Sequence, residues 1–238
     1  MKKTAIVLII IIPFIFNITL AGDRFFGGGA GGFEMIYLPL DLTEIDNRLN
    51  DVGLSELESA LYLKGGGGWG NIGNNIRIGG YGYGGAIPAI SSKDGQMARE
   101  FNLEIGLGGF AIEKAFKPLH NSEVNLRCIL GAGTMDISIE KWSKFTSWDN
   151  LWEDYDPENN NDSPVAYSSK VKTEFFMAAP SLGIRYYVLD WFAIGANVGY
   201  LYTNMKKDKW KINGEKLYEV PDIDLSNTIY KINFFFGG

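Results

Sequence analysis

One cysteine, Cys128, and one histidine, His120, are all that 238 residues offer of either type. A lone thiol makes no intramolecular disulfide and no zinc–thiolate site. The single histidine lies two residues from Ser122, and a turn of that length does not make a nucleophile–base dyad. Positive charge is short: 22 Lys and Arg stand against 28 Asp and Glu, which disfavours a nucleic-acid partner. Beyond the first twenty residues there is no apolar run of the length a membrane-crossing helix needs. The glycine run Gly65–Gly70 has no Lys-Ser/Thr after it and no helix, so it is not a phosphate loop and reads as close packing or a sharp bend. No cofactor, metal or catalytic group is called for.

What is present begins with an export signal. Lys2 and Lys3 precede an apolar run from Ala5 to Leu20, and Thr19-Leu20-Ala21 supplies small residues for cleavage. Residues 1–21 are therefore expected to be removed, leaving 22–238 as a single domain rich in glycine, with 30, and in tyrosine, with 12. Such a composition suits strands and tight turns.

Eight strands are expected. Phe33, Met35 and Tyr37 alternate with Glu34, and Ile76 and Ile78 with Arg77. Phe101, Leu103, Ile105 and Leu107 alternate with Asn102 and Glu104; Val124, Leu126, Cys128 and Leu130 alternate with Arg127. Near Thr134 the apolar set moves to Met135, Ile137 and Ile139, which predicts a bulge, and Pro180 within strand six predicts a bulge or a bend. Ile184 and Tyr186 oppose Arg185, Val198 opposes Asn197, and Thr228, Tyr230, Ile232, Phe234 and Phe236 oppose Lys231 and Asn233. The links run long, tight, medium, short, long, short, long. That order places every tight turn at one end of an antiparallel up-and-down barrel, and strands of about 9–11 residues would cross a bilayer at a tilt.

Three features favour a transmembrane barrel with bulky apolar side chains outside. Glycine and asparagine crowd the opposite face, as a narrow interior requires. Aromatics such as Trp69, Tyr81, Tyr83, Trp142, Tyr187, Trp191, Tyr202 and Tyr230 fall near strand ends, as interfacial girdles would. The third is the final strand, Tyr230-Lys231-Ile232-Asn233-Phe234-Phe235-Phe236. It resembles the aromatic C-terminal strand of bacterial outer-membrane proteins, although Gly237-Gly238 follows it. With the signal peptide and eight strands, the chain resembles small outer-membrane barrels of the OmpA and OmpW type, over nearly its whole mature length. The resemblance is architectural and carries no functional motif. It implies the outer membrane, the lipid bilayer and the barrel-assembly machinery as location and partners.

On this reading Glu34, Arg77, Glu104, Arg127, Arg185 and Lys231 share the inner face as a charge network, either a static filling or an electrostatic gate. Between strands one and two, residues 43–60 read as two short amphipathic helices. As a lid they would bury Leu42, Ile45, Leu49, Leu57 and Leu61, and either enclose a pocket for a small hydrophobic ligand or pack as an ordinary loop. The long loop 141–170 holds Asp149, Glu153, Asp154, Asp156, Glu158 and Asp162, a solvated acidic loop or a calcium site without EF-hand spacing.

The function expected is non-enzymatic: envelope structure, surface interaction or binding of an apolar ligand. A general diffusion porin needs about twice as many strands. The alternatives are a soluble exported ligand-binding barrel, with the Phe101–Leu107 face lining its cavity, and a membrane-embedded lipid hydrolase.

Overall fold

Period-two alternation, broken by asparagine, glycine and proline, gives this chain its strands. The computed structural model describes residues 27–91, 97–119, 121–143 and 166–238. The elements are β1 (Gly29–Pro39), α1 (Thr43–Asp51), β2 (Ala60–Gly73), β3 (Ile76–Ser91), β4 (Met97–Leu119) and β5 (Ser122–Ser143). After them come β6 (Ala166–Leu189), β7 (Phe192–Met205), a small hairpin of β8 (Lys211–Ile212) and β9 (Glu215–Lys216), and β10 (Asn227–Gly237). The export signal 1–21, His120 and the acidic cluster 149–162 lie outside the described residues.

Eight strands close into an antiparallel ring in the order β5-β4-β3-β2-β1-β10-β7-β6, sealed by the β5–β6 pairing. The hairpin β8–β9 extends from β6 at Val171–Ile212. Tight links at Asn74-Asn75, Asn121 and Asp190-Trp191 share one end of the barrel. Asn74 and Asn75 both have positive φ, 49° and 56°, the geometry of a two-residue hairpin turn.

The ladder fixes the tilt. Paired residues followed once around the ring from Val124 run through Ile184, Ala196, Ile232, Met35, Lys64, Gly84 and Gly106, and return to β5 at Thr134. That ten-residue stagger over eight strands tilts them by about 40°, so each residue climbs roughly 2.5 Å along the barrel axis. Strands β3 to β6 hold 16, 23, 22 and 24 residues, far more than one crossing needs. They rise as a wall on one side, whereas β1 and β10 stop at 11 residues each.

The bulge expected near Thr134 is absent, and Pro180 introduces no register shift. The β4–β5 register runs without a shift from Phe116–Val124 to Met97–Ser143. Odd-numbered residues of β5 face inward from Glu123 through Arg127 and Ile129 to Ile137. What changes near Thr134 is the surroundings of each face. Pro180 keeps its register with Cys128, and β6–β7 pairs stop at Ala178 and resume in step at Ser181. The missing N–H of Pro180 thus falls in a gap of the ladder.

Only the first of the two expected helices forms. Leu42, Ile45 and Leu49 give α1 its buried stripe. Beyond Gly53 (φ +73°) the chain is irregular, because the Leu57 N–H donates to the Asp46 carboxylate at 2.9 Å in place of a second capping box. So short a segment has too few propagating bonds to offset its nucleation cost. Ahead of α1, the Thr43 hydroxyl and amide donate to Asp41 at 2.7 and 3.3 Å and hold its carboxyl below the usual range. That tether is complete above the ordinary aspartate pKa and fades as pH falls through the lowered value.

Candidate functional site: a plugged lumen under a capped mouth

The barrel wall has two chemistries stacked along its axis. On the lower part, near the tight turns, the outer face carries Phe33, Phe110, Leu130, Ile184, Val198 and Phe236, all exposed. On β5 this apolar stretch runs from Val124 to Ala132, and on β6 from Val188 to Phe176. At the axial rise above, the band is about 25 Å tall, the height of a barrel's hydrocarbon belt. Higher up, the outer face turns polar with Glu104, Asp136 and Lys172 in one row, and Lys172 lies 3.6 Å from Asp136. The inner face inverts in the opposite sense, from polar below to apolar above.

This inversion corrects the sequence reading of β4. Leu103 and Ile105, expected outside, are inside at 0% and 1% exposure, while Val198 stays outside at 48%. Glu104, expected in the lumen, is exposed on the outer wall. Four of the aromatics expected in interfacial girdles, Trp69, Tyr81, Tyr83 and Tyr187, are buried in the lumen. Tyr37, Tyr62, Tyr200 and Tyr230 stand exposed at the upper edge of the band, with Tyr186 and Trp191 at the lower edge.

The lower lumen holds a closed charge cluster. Arg77 reaches Glu113 at 2.8 Å and Glu123 at 2.5 and 2.9 Å. Arg127 donates through Nε to Glu113 at 2.8 Å and through Nη1 to Glu34 at 2.6 Å. Arg185 meets Glu123 and, at 3.3 Å, Glu113. Tyr83 donates to Glu34 at 2.5 Å and Tyr187 to Glu123 at 2.7 Å. The guanidiniums also stack: Arg77 over Trp69 at 4.0 Å, Arg127 over Tyr81 at 4.6 Å and Arg185 over Phe235 at 4.5 Å. Inner-face glycines make room for these rings. A Cβ on Gly67 would come within 2.6 Å of the Tyr81 ring.

Of the six charged residues expected in the lumen, Glu34, Arg77, Arg127, Arg185 and Lys231 are there and the first four bond into the cluster. Lys231 Nζ has no hydrogen-bond partner among the described residues. Glu113 and Glu123, which supply most of the negative charge, were not anticipated. Glu123 sits beside the β4–β5 turn, where strand alternation is hardest to extend, and Glu113 is paired with Arg127 further along the same ladder. The signal for Glu123 was its place four residues before Arg127, on the same face of β5. An asparagine ladder, Asn233 to Asn197 at 2.6 Å and Asn197 to Asn125 at 2.8 Å, lines the same region.

Above the charges the lumen is a hydrophobic core. Ile36, Leu63, Leu103, Ile129, Met135 and Leu201 belong to one continuous buried cluster. The lid residues Leu42, Ile45, Leu49, Leu57 and Leu61 are all buried in that cluster, as are Trp210, Val220 and Leu225 from the β7–β10 link. Arg99 on β4 ties the lid down by donating to the Val52 carbonyl at 2.8 Å. Between Tyr83, Leu107, Met177 and Lys231 a cavity of about 10 Å³ remains, room for one water. The lid therefore packs as core, and this cavity is too small for the hydrophobic ligand considered above.

No protein-family model and no curated protein matches the chain. Two solved structures of Ail, the attachment invasion locus protein of Yersinia pestis, are similar to it. The one in complex with the heparin analogue sucrose octasulfate has 11% identity and a TM-score of 0.42, and the other has 12% and 0.37. Both alignments cover 88% of this chain and 95% of Ail. The outer-membrane protease OmpT of Escherichia coli is similar at 12% identity and a TM-score of 0.33, over 92% of this chain and 97% of OmpT. These likenesses go no further than the outline of a barrel.

Proposed function

We propose that this chain is an integral outer-membrane barrel that neither conducts nor catalyses, and that it anchors a rigid extracellular platform built from its own prolonged strands. The observation that carries this reading is the inversion of face chemistry along β4, β5 and β6. An apolar exterior around a polar interior suits hydrocarbon, and the reverse pattern directly above suits water. A barrel immersed wholly in water would leave Phe110, Leu130, Ile184, Val198 and Phe236 bare, a patch well beyond what monomers in water expose. The signal-like N-terminus and the aromatic strand β10 support delivery by the export and barrel-assembly machinery.

The soluble alternative placed the Phe101–Leu107 face inside, where it is. The small residual cavity and the apolar band below it count against that alternative. The hydrolase alternative rests on Ser122 and a histidine outside the described residues, and gains nothing from the geometry. The test is fractionation. The protein should stay with membranes through an alkaline carbonate wash and migrate faster on gels when unheated. Release into buffer by osmotic shock would overturn the proposal.

A further inference from the structure

A groove of about 660 Å³ runs along the outer wall. It runs across five neighbouring strands, β1, β10, β7, β6 and β5, along the row Met35–Ile232–Ala196–Ile184–Val124. Its depth comes from Ala196, the smallest side chain in that row. At interstrand spacing the row is about 20 Å long, and because the strands tilt it descends diagonally through the band. An extended acyl chain of about fourteen carbons, roughly 17 Å long with a liquid volume of roughly 400 Å³, fits inside the groove with room to spare.

The upper end of the groove is different in kind. Tyr37 lies between Tyr62 and Tyr230, with ring centroids 5.4 and 6.2 Å away. Lys64 pairs directly with Met35 and shares the outer face with Tyr62. It is exposed and has no carboxylate within ion-pair distance among the described residues. Lys64 therefore stands at the upper part of the hydrocarbon band, and its stem reaches the headgroup level only by snorkelling upward. Three phenols at the head of an apolar channel, with the Lys64 cation one strand beyond Met35 of its lining, are complementary to a phosphate ester joined to hydrocarbon.

We infer that this groove holds one phosphate-bearing lipid of the surrounding leaflet as a resident ligand. The lipid is one of net negative charge; its acyl chain lies over Ala196 and its phosphate faces Lys64 and the tyrosine ledge. The inference rests on the membrane reading above, and the two fail separately. A chain released from membranes removes both, whereas a chain that inserts but keeps no lipid removes only this one.

The test uses the full-length mature barrel in vesicles of phosphatidylcholine with phosphatidylglycerol at one part in five. The protein is extracted in mild detergent and examined by native mass spectrometry. One phosphatidylglycerol per barrel is expected to survive extraction. Ala196→Phe, which fills the groove floor from the lipid side, should reduce that retained fraction about tenfold, with gel migration unchanged. Lys64→Gln should bring selection of phosphatidylglycerol over phosphatidylcholine close to parity. Equal retention by Ala196→Phe, absence of headgroup selection in the parent protein, or a two-barrel mass that Ala196→Phe splits would each overturn the inference. The last result would make a second copy the occupant.

Discussion

At the residue scale, the cost of each charge depends on which side of the wall it occupies. Glu113 bonds two arginines at 2.8 Å and touches a third, and all four side chains are buried in the lumen. Glu113→Gln leaves three guanidiniums with two carboxylates and should cost about 3–5 kcal/mol. Glu104→Gln, on the outer wall, should change stability by less than about 0.5 kcal/mol. Denaturant unfolding of both variants in detergent micelles checks the pair, and similar midpoints would mean that the cluster contributes nothing. Sequence alone could not separate these two glutamates. Glu104 stands between Leu103 and Ile105, and Glu113 between Ile112 and Lys114, on opposite faces of β4; only the height of each along the barrel decides which face is dry.

At the element scale, the same ambiguity explains what was legible. Strands β1, β7 and β10 read correctly face by face, because almost all of each lies within the band and one rule governs it. Strand β5 did not, because its 22 residues pass through two surroundings. A shift of the apolar set from even to odd positions is what a bulge produces and also what crossing a water boundary produces. Strand length was the cue that could have told them apart. The lid was legible as an amphipathic segment, and the tertiary bond from Leu57 to Asp46 decided how much of it became helix. Leu49→Asp would put an unpaired carboxylate into the core beneath α1, at a cost on the order of 3 kcal/mol, more than a tethered loop resists. Added protease should then cleave within residues 43–59 on intact cells, while the heat-modifiable barrel persists. A lid equally resistant in both forms would show that α1 stays in place without its apolar stripe.

On the scale of the whole molecule, the lumen is obstructed twice. An ion entering from the tight-turn end meets the arginine–glutamate cluster and then a packed hydrocarbon-like core up to α1. Opening the lower obstruction should not open the barrel. The double variant Glu34→Ala/Arg127→Ala, reconstituted in planar bilayers, is expected to show no more channel events than the parent, and the parent none above background. Discrete openings in the variant would make the cluster a gate and the upper core permeable.

The switch of wall chemistry on β4, β5 and β6 also works as a waterline. Sinking the barrel by two residues, roughly 5 Å, would drag Glu104, Asp136 and Lys172 toward oil; raising it as far would lift Tyr186 and Trp191 out on the other side. Either displacement is opposed by several side chains at once. The molecule therefore carries its own draught mark, and a bilayer of another thickness has to deform to meet it.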